Sequence, residues 1–269
     1  MRRPALLKAV AVAMAAAAAA YPGMDQALAE VEKRQGPAST SLIGDLAELH
    51  DRDLSPTGKA IKDILVGRGD GQKLSRRVGS VPPKTSAACA RDKCCIWKYI
   101  ADDMRAAMVG SAGRCNNVAR AAVRLGFHDA GTWSKDTGRA GGADGSILLA
   151  RECEERRENK GLTEVCARMR AWFDEYKGFG ISVADLIQMG ATVGTVSCPL
   201  GPRVRSFVGR RDSSEPSPRG LLPSPLASAD TLVSMFANKT IGPAGLVALV
   251  GAHTTSQQRR RATGRRGGS

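Results

Sequence analysis

Aromatic residues are scarce in this chain of 269 residues, at 4%, against 42% apolar residues overall. A core of that composition is expected to be filled by Ala, Val, Leu and Ile. No stretch alternates polar and apolar residues convincingly, which argues against a sheet, and no internal repeat is visible. After the run Ala9–Ala20 nothing approaches the ~20 apolar residues that span a bilayer, so no membrane partner is expected. The three histidines are scattered and no Cys-x-x-Cys pair recurs, so a structural zinc site has little support. Acidic residues are outnumbered and the formal charge is +14. That excess would suit a nucleic acid, but its distribution argues otherwise. Residues 1–29 hold Arg2, Arg3 and Lys8 against Asp25, and residues 259–269 hold five arginines. The remainder is spread without aromatic interleaving or a basic helix and reads as solvated surface, with no nucleic-acid partner expected.

The N-terminus MRRPALLKAVAVAMAAAAAAYPG has a basic start, an apolar run too short to span, and a small-x-small site at Ala27-Leu28-Ala29. Residues 1–29 therefore read as a signal peptide, and secretion to the extracellular space follows. In that compartment the seven cysteines should pair, leaving one over. Asn238-Lys239-Thr240 is a glycosylation acceptor, consistent with secretion but common by chance. Residues 30–88 look like a low-order leader, rich in Pro, Ser and basic residues around SRRVGSVPPKTS, with a dibasic Arg76-Arg77.

From Cys89 the texture becomes helical. Trp97, Ile100, Met104 and Met108 repeat at three and four, as do Leu162, Val165, Met169, Trp172 and Tyr176. Asn117–His128 predicts a further helix, and Ser182 with Asp185 reads as a capping box opening SVADLIQMGATVGTV. Six prolines over residues 199–225 predict a long ordered loop. GPAGLVALVGAH predicts a last helix, begun near Pro243 and ended at His253. The fold class is mainly α.

Three groupings carry chemistry. In VRLGFHDAGT, Arg124 and His128 lie four apart and can reach one point in space, with Phe127 three after Arg124. A satisfied core histidine is the competing reading. Asp129 with Gly142-Ala143-Asp144-Gly145-Ser146 offers hard oxygen ligands suited to Ca²⁺, although DGS alone is a common turn. His253, ending an apolar helix, is placed as a metal or haem ligand would be, and equally as a core histidine.

Together these stretches resemble the fungal secretory, ligninase-like haem peroxidases of the plant peroxidase superfamily. RLGFHDAGTW resembles the distal haem helix, VALVGAHTTSQQ the proximal one, GGADGS the distal calcium loop, and SVADLIQMGATVGTVSCPLGPRVRSFVGRRD the segment between the domains. The four motifs occur in family order over roughly residues 89–258. The resemblance implies a mainly α, two-domain fold with haem b (heme b) between the domains, a distal domain and connecting loop over 89–240, and a proximal domain beginning over 241–258. It implies His128 as distal base, Arg124 as stabiliser of developing charge, Phe127 over the haem face, and Asn159 as the acceptor that orients His128. It further implies His253 on the haem iron, a distal calcium held by Asp129, Gly142, Asp144 and Ser146, and Thr254 at a proximal one. The family pattern pairs Cys115 with Cys198 and Cys89 with Cys95. Cys153 and Cys166 have no placed counterpart and could pair with each other around Asn159, while Cys94 is left without a partner.

The implied substrate is hydrogen peroxide, with small phenolic or aromatic electron donors, and the implied state is a monomer. Lignin-oxidising relatives carry a surface tryptophan where this chain has Ala248. Manganese-oxidising relatives carry carboxylates where it has Asn117, Ala121 and Arg259, so a generic peroxidase is expected. The resemblance fades at Gln258, before an aberrant basic tail over 259–269. The expectation is a proximal domain largely missing through a shortened or misread frame, and weak haem binding. The competing class is a non-catalytic secreted protein that keeps a peroxidase-like domain.

Overall fold

The computed structural model describes residues 46, 49–72 and 80–256. Residues 1–29, expected to be a signal peptide, Arg76-Arg77 and the basic tail lie outside the described residues. Among those described, ten α-helices run in order: α1 Pro56–Leu65, α2 Ala87–Arg91, α3 Cys95–Met108, α4 Asn117–Ala130, α5 Ser146–Leu149, α6 Glu152–Glu155, α7 Thr163–Tyr176, α8 Val183–Ser197, α9 Ala229–Ala237 and α10 Pro243–His253. Extended pairing is confined, among these residues, to isolated bridges at Gln72–Val204 and Val109–Cys115. The expected mainly α class is the observed one.

The helices at the centre are α3, α4, α7 and α8. Their inward faces carry Ile100, Met104 and Met108, then Ala119, Ala122 and Leu125, then Val165, Met169, Trp172 and Tyr176, then Leu186 and Ile187. Composition predicted a core of Ala, Val, Leu and Ile. Trp97, Trp172 and Tyr176 and the methionines Met104, Met108 and Met169 also lie there, because large flexible or planar side chains fill the gaps between crossing helices.

The tightest crossing is α4 against α8, and it positions the site. A Cβ on Gly126 would come within 2.6 Å of the Ala191 Cβ, and one on Gly194 within 2.7 Å of the Ala119 carbonyl. Only glycine allows the two backbones to approach so closely. Asn116 starts α4 by accepting from the amides of Val118 and Ala119 at 2.9 and 3.3 Å. Disulfides join Cys115 to Cys198 across the ends of α4 and α8, Cys89 to Cys95, and Cys153 to Cys166. Cys94 is free and exposed.

Two expectations need correction. The segment 30–88, expected to be of low order, carries α1 and the start of α2. Ser55 caps α1 by accepting from Gly58 N at 3.0 Å, and Lys59 and Lys62 both reach Asp51. The predicted capping box at α8 is only half made. Ser182 Oγ accepts from Asp185 N at 3.1 Å, but the Asp185 carboxylate turns to Gly209 N and the Arg210 side chain. Asp212 takes its place, accepting from Val183 N and Ala184 N at 2.9 Å each. A carboxylate at a helix N-terminus meets orphan amides and the positive end of the dipole. These contacts are what order the proline-rich loop between α8 and α9.

Candidate active site

Arg124, Phe127 and His128 lie on the half-buried face of α4, opposite the face packed on α8. Helical spacing brings Arg124 Nε to 3.2 Å from His128 Nε2, to which it donates. The guanidinium is otherwise fixed by the carbonyls of Lys160, at 3.1 Å, and Glu158, at 3.0 Å. On the other side of the ring, His128 Nδ1 lies 2.8 Å from Asn159 Oδ1. Asn159 is buried and its Nδ2 donates to the Glu152 carbonyl at 3.0 Å, so its Oδ1 is the acceptor. His128 Nδ1 therefore carries the proton and Nε2 keeps its lone pair. Burial lowers the pKa of His128 to about 4, helped by the Arg124 charge and opposed by the bond to Asn159. At neutral pH the ring is an uncharged base beside a cation. Burial also lowers the Arg124 pKa, from a value high enough to leave the group charged.

The short turn Arg157–Asn159 that supplies Asn159 is held by residues that sequence reasoning did not single out. Glu152 and Arg156 form a buried ion pair at 3.0 Å. The second Glu152 oxygen accepts from Ser217 N at 2.6 Å, and Ser217 Oγ meets Ser146 Oγ at 2.7 Å. A buried pair survives only when its remaining valences are met, as they are here. The i, i+4 spacing of Glu152 and Arg156 was visible, but nothing in it distinguished a buried pair from an exposed one.

Asp129, one residue beyond His128, faces the glycine-rich loop. Its Oδ2 accepts from Gly145 N at 3.2 Å, while its buried Oδ1 has no partner. Burial pushes this carboxyl up to about 8, with the Asp144 charge adding to the rise and backbone amides opposing it. Asp144 Oδ1 accepts from Ser146 N at 3.0 Å, and Gly142 N donates to Thr132 Oγ1 at 3.0 Å. The structure thus gathers Asp129, Gly142, Asp144 and Ser146 in one loop cluster. No group of three or more His, Cys, Asp or Glu is arranged for a metal among the described residues; this set has two carboxylates, a hydroxyl and a carbonyl.

His253 and Thr254 lie apart from that loop, at the exposed end of α10. The His253 ring makes no hydrogen bond among the described residues. Thr254 Oγ1 donates to Gly251 O at 2.6 Å. Lys239, also missed, joins the two regions. It is buried, and its ammonium donates to the carbonyls of Gly131 and Trp133 at 2.8 and 2.7 Å. Burial lowers its pKa. Phe236 stacks on Phe127 with centroids 6.5 Å apart.

This mainly helical chain thus places a neutral histidine, oriented by an amide, beside a fixed guanidinium. A family model described as Peroxidase matches residues 100–266, and the chain belongs to that family. It is 32% identical over 186 residues to a peroxidase of Arthromyces ramosus, covering 67% of this chain and 50% of that protein. It is 30% identical over 187 residues to Ligninase LG2 of Phanerodontia chrysosporium, covering 65% and 49%. Manganese peroxidase 3 of Phlebia radiata is 31% identical over 191 residues, covering 67% and 50%. The chain spans about half the length of these curated relatives.

Proposed function

We propose that the chain works as a secreted haem peroxidase, reducing hydrogen peroxide and oxidising small phenolic donors one electron at a time. The observation that carries this reading is the tautomer of His128, fixed by Asn159 so that Nε2 is basic beside Arg124. In the first step His128 Nε2 takes a proton from peroxide and returns it to the departing oxygen. Arg124 stabilises the negative charge that grows as the O–O bond breaks. Two donors then lose one electron each, and with two protons the peroxide becomes two waters.

The residues present fit haem b. His253 offers an imidazole at the end of an apolar helix, free of hydrogen bonds among the described residues, and Phe127 sits beside His128 with ring centroids 6.1 Å apart. When bound, haem supplies the iron at which the O–O bond breaks. They also fit calcium, since the unpartnered Asp129 oxygen is a buried ligand waiting for a cation. Asp129, Asp144, the Gly142 carbonyl and Ser146 would hold it, with Thr254 offering one hydroxyl to a second ion. Ala248, Asn117 and Ala121 bring neither an indole nor a carboxylate to their positions, which supports a generic donor preference; Arg259 lies outside the described residues. The exposure of His253 favours weak haem retention, and with it a second reading as a non-catalytic secreted protein.

Hemin titration separates these readings. The expected outcome is a Soret band that forms, is partly lost on gel filtration, and supports dye oxidation that His128→Leu lowers by about 10²–10⁴-fold. Turnover no faster than free hemin, and equal in His128→Leu, would leave the non-catalytic reading. Mn²⁺-dependent turnover without phenolic donors would sink the generic donor class. Millimolar Ca²⁺ should raise Tm in the parent chain and not in Asp129→Asn.

A further inference from the structure

Away from the histidines, an open cleft of about 410 Å³ lies between the ends of α3 and α8 and the turn after α8. Arg105 on α3 and Arg203 after α8 line it, and among the described residues no acidic one does. Both arginines are exposed, and neither makes an ion pair or side-chain hydrogen bond among the described residues. Ser197 also lines the cleft and is buried, and its hydroxyl has no hydrogen-bond partner. The wall is built to hold its shape. A Cβ on Gly201 would lie 1.8 Å from the Thr195 carbonyl, so the turn can close onto α8 only with glycine there. The Cys115–Cys198 disulfide pins the same turn to the start of α4.

We infer that this cleft is a binding site for an oxyanion, namely a phosphate or sulfate group, clasped between the guanidiniums of Arg105 and Arg203. The competing account is that the arginines merely complement two helix C-termini. Magnitudes decide against it. Each helix end carries about half a negative charge, roughly −1 in all, against +2 from the guanidiniums. The cleft keeps a net positive charge, inside a chain of formal charge +14. Guanidinium forks match tetrahedral oxyanions in geometry as well as in sign.

The test is thermal unfolding of the full chain in inorganic phosphate or sulfate, titrated against chloride at matched ionic strength. The expected result is a saturable rise in Tm of about 2–5 °C at ten times Kd. Arg105→Gln and Arg203→Gln should each remove most of that rise, Arg105→Lys should keep part of it, and Arg91→Gln, outside the cleft, should keep it all. A phosphomonoester that binds more tightly than phosphate would identify a group borne on a larger molecule, and equal binding would identify the free ion. A rise that is linear and unsaturated, or undiminished in Arg105→Gln and Arg203→Gln, would overturn the site. None of these readouts involves haem, so the outcome is independent of the peroxidase reading.

Discussion

Helices α4 and α10 each present a histidine, at His128 and His253, yet their surroundings are opposite. α4 buries Ala119, Ala122, Leu125, Gly126 and Asp129, and both ring nitrogens of His128 have partners. α10 is apolar along its length but buries Leu246 alone, leaving Val247 and Val250 more than half exposed and His253 without a hydrogen bond among the described residues. One histidine has its tautomer and orientation set by neighbours; the other is exposed and has no hydrogen-bond partner among the described residues. A helix gains stability mostly from the face it buries, so α4 is fixed by tertiary packing and α10 by two ties behind it. Those ties are Lys239 and the Phe127–Phe236 stack.

The comparison is broken most severely at the distal ring. His128→Leu should lower peroxide-dependent turnover of the hemin-loaded chain by about 10²–10⁴-fold, read by stopped-flow absorbance. A paired truncation sharpens it next. Leu125→Ala on α4 should cost about 2–5 kcal/mol in urea unfolding, whereas Val247→Ala on α10 should stay within about 0.5 kcal/mol. Equal losses would mean that α10 is as well packed as α4.

Asn159→Ala should lower turnover by about 10–100-fold with little change in hemin affinity, because it frees the tautomer and leaves the ring in place. Unchanged turnover would show that Arg124 alone orients His128. The smallest expected effect is at the tie between the regions. Lys239→Met leaves two carbonyls without their donor and should cost about 1–3 kcal/mol in urea unfolding. It should also raise amide exchange in α10 before it does so in α4. Faster exchange in both helices together would make them one cooperative unit.

Much of this arrangement was legible as pattern. The periodicities through Trp97–Met108 and Leu162–Tyr176, the Asn117–His128 helix and the Pro243–His253 helix correspond to α3, α7, α4 and α10. What escaped was the use of polar side chains over long separations. Asp185 reads locally as a capping residue and is spent on Gly209 and Arg210, while Asp212 caps α8 from 29 residues away. Glu152, Arg156, Ser217 and Lys239 look like ordinary surface residues in sequence, and all are buried. The leader misled for a related reason. Its composition is that of a loose segment, but Ser55 and the Asp51–Lys59–Lys62 cluster supply local order.

Periodicity and spacing were enough to determine α3, α4, α7, α8 and α10 and to place Arg124 one turn from His128, because both follow from the geometry of a single helix. Tertiary structure alone decided which nitrogen of His128 is basic. That choice requires Asn159 to arrive with its Nδ2 already held by the Glu152 carbonyl, so that only Oδ1 is left to face the ring. It likewise decided that the Asp129 Oδ1 would be buried without a partner while His253 stood in solvent, since burial belongs to the neighbours that a folded chain assembles and not to the residue itself.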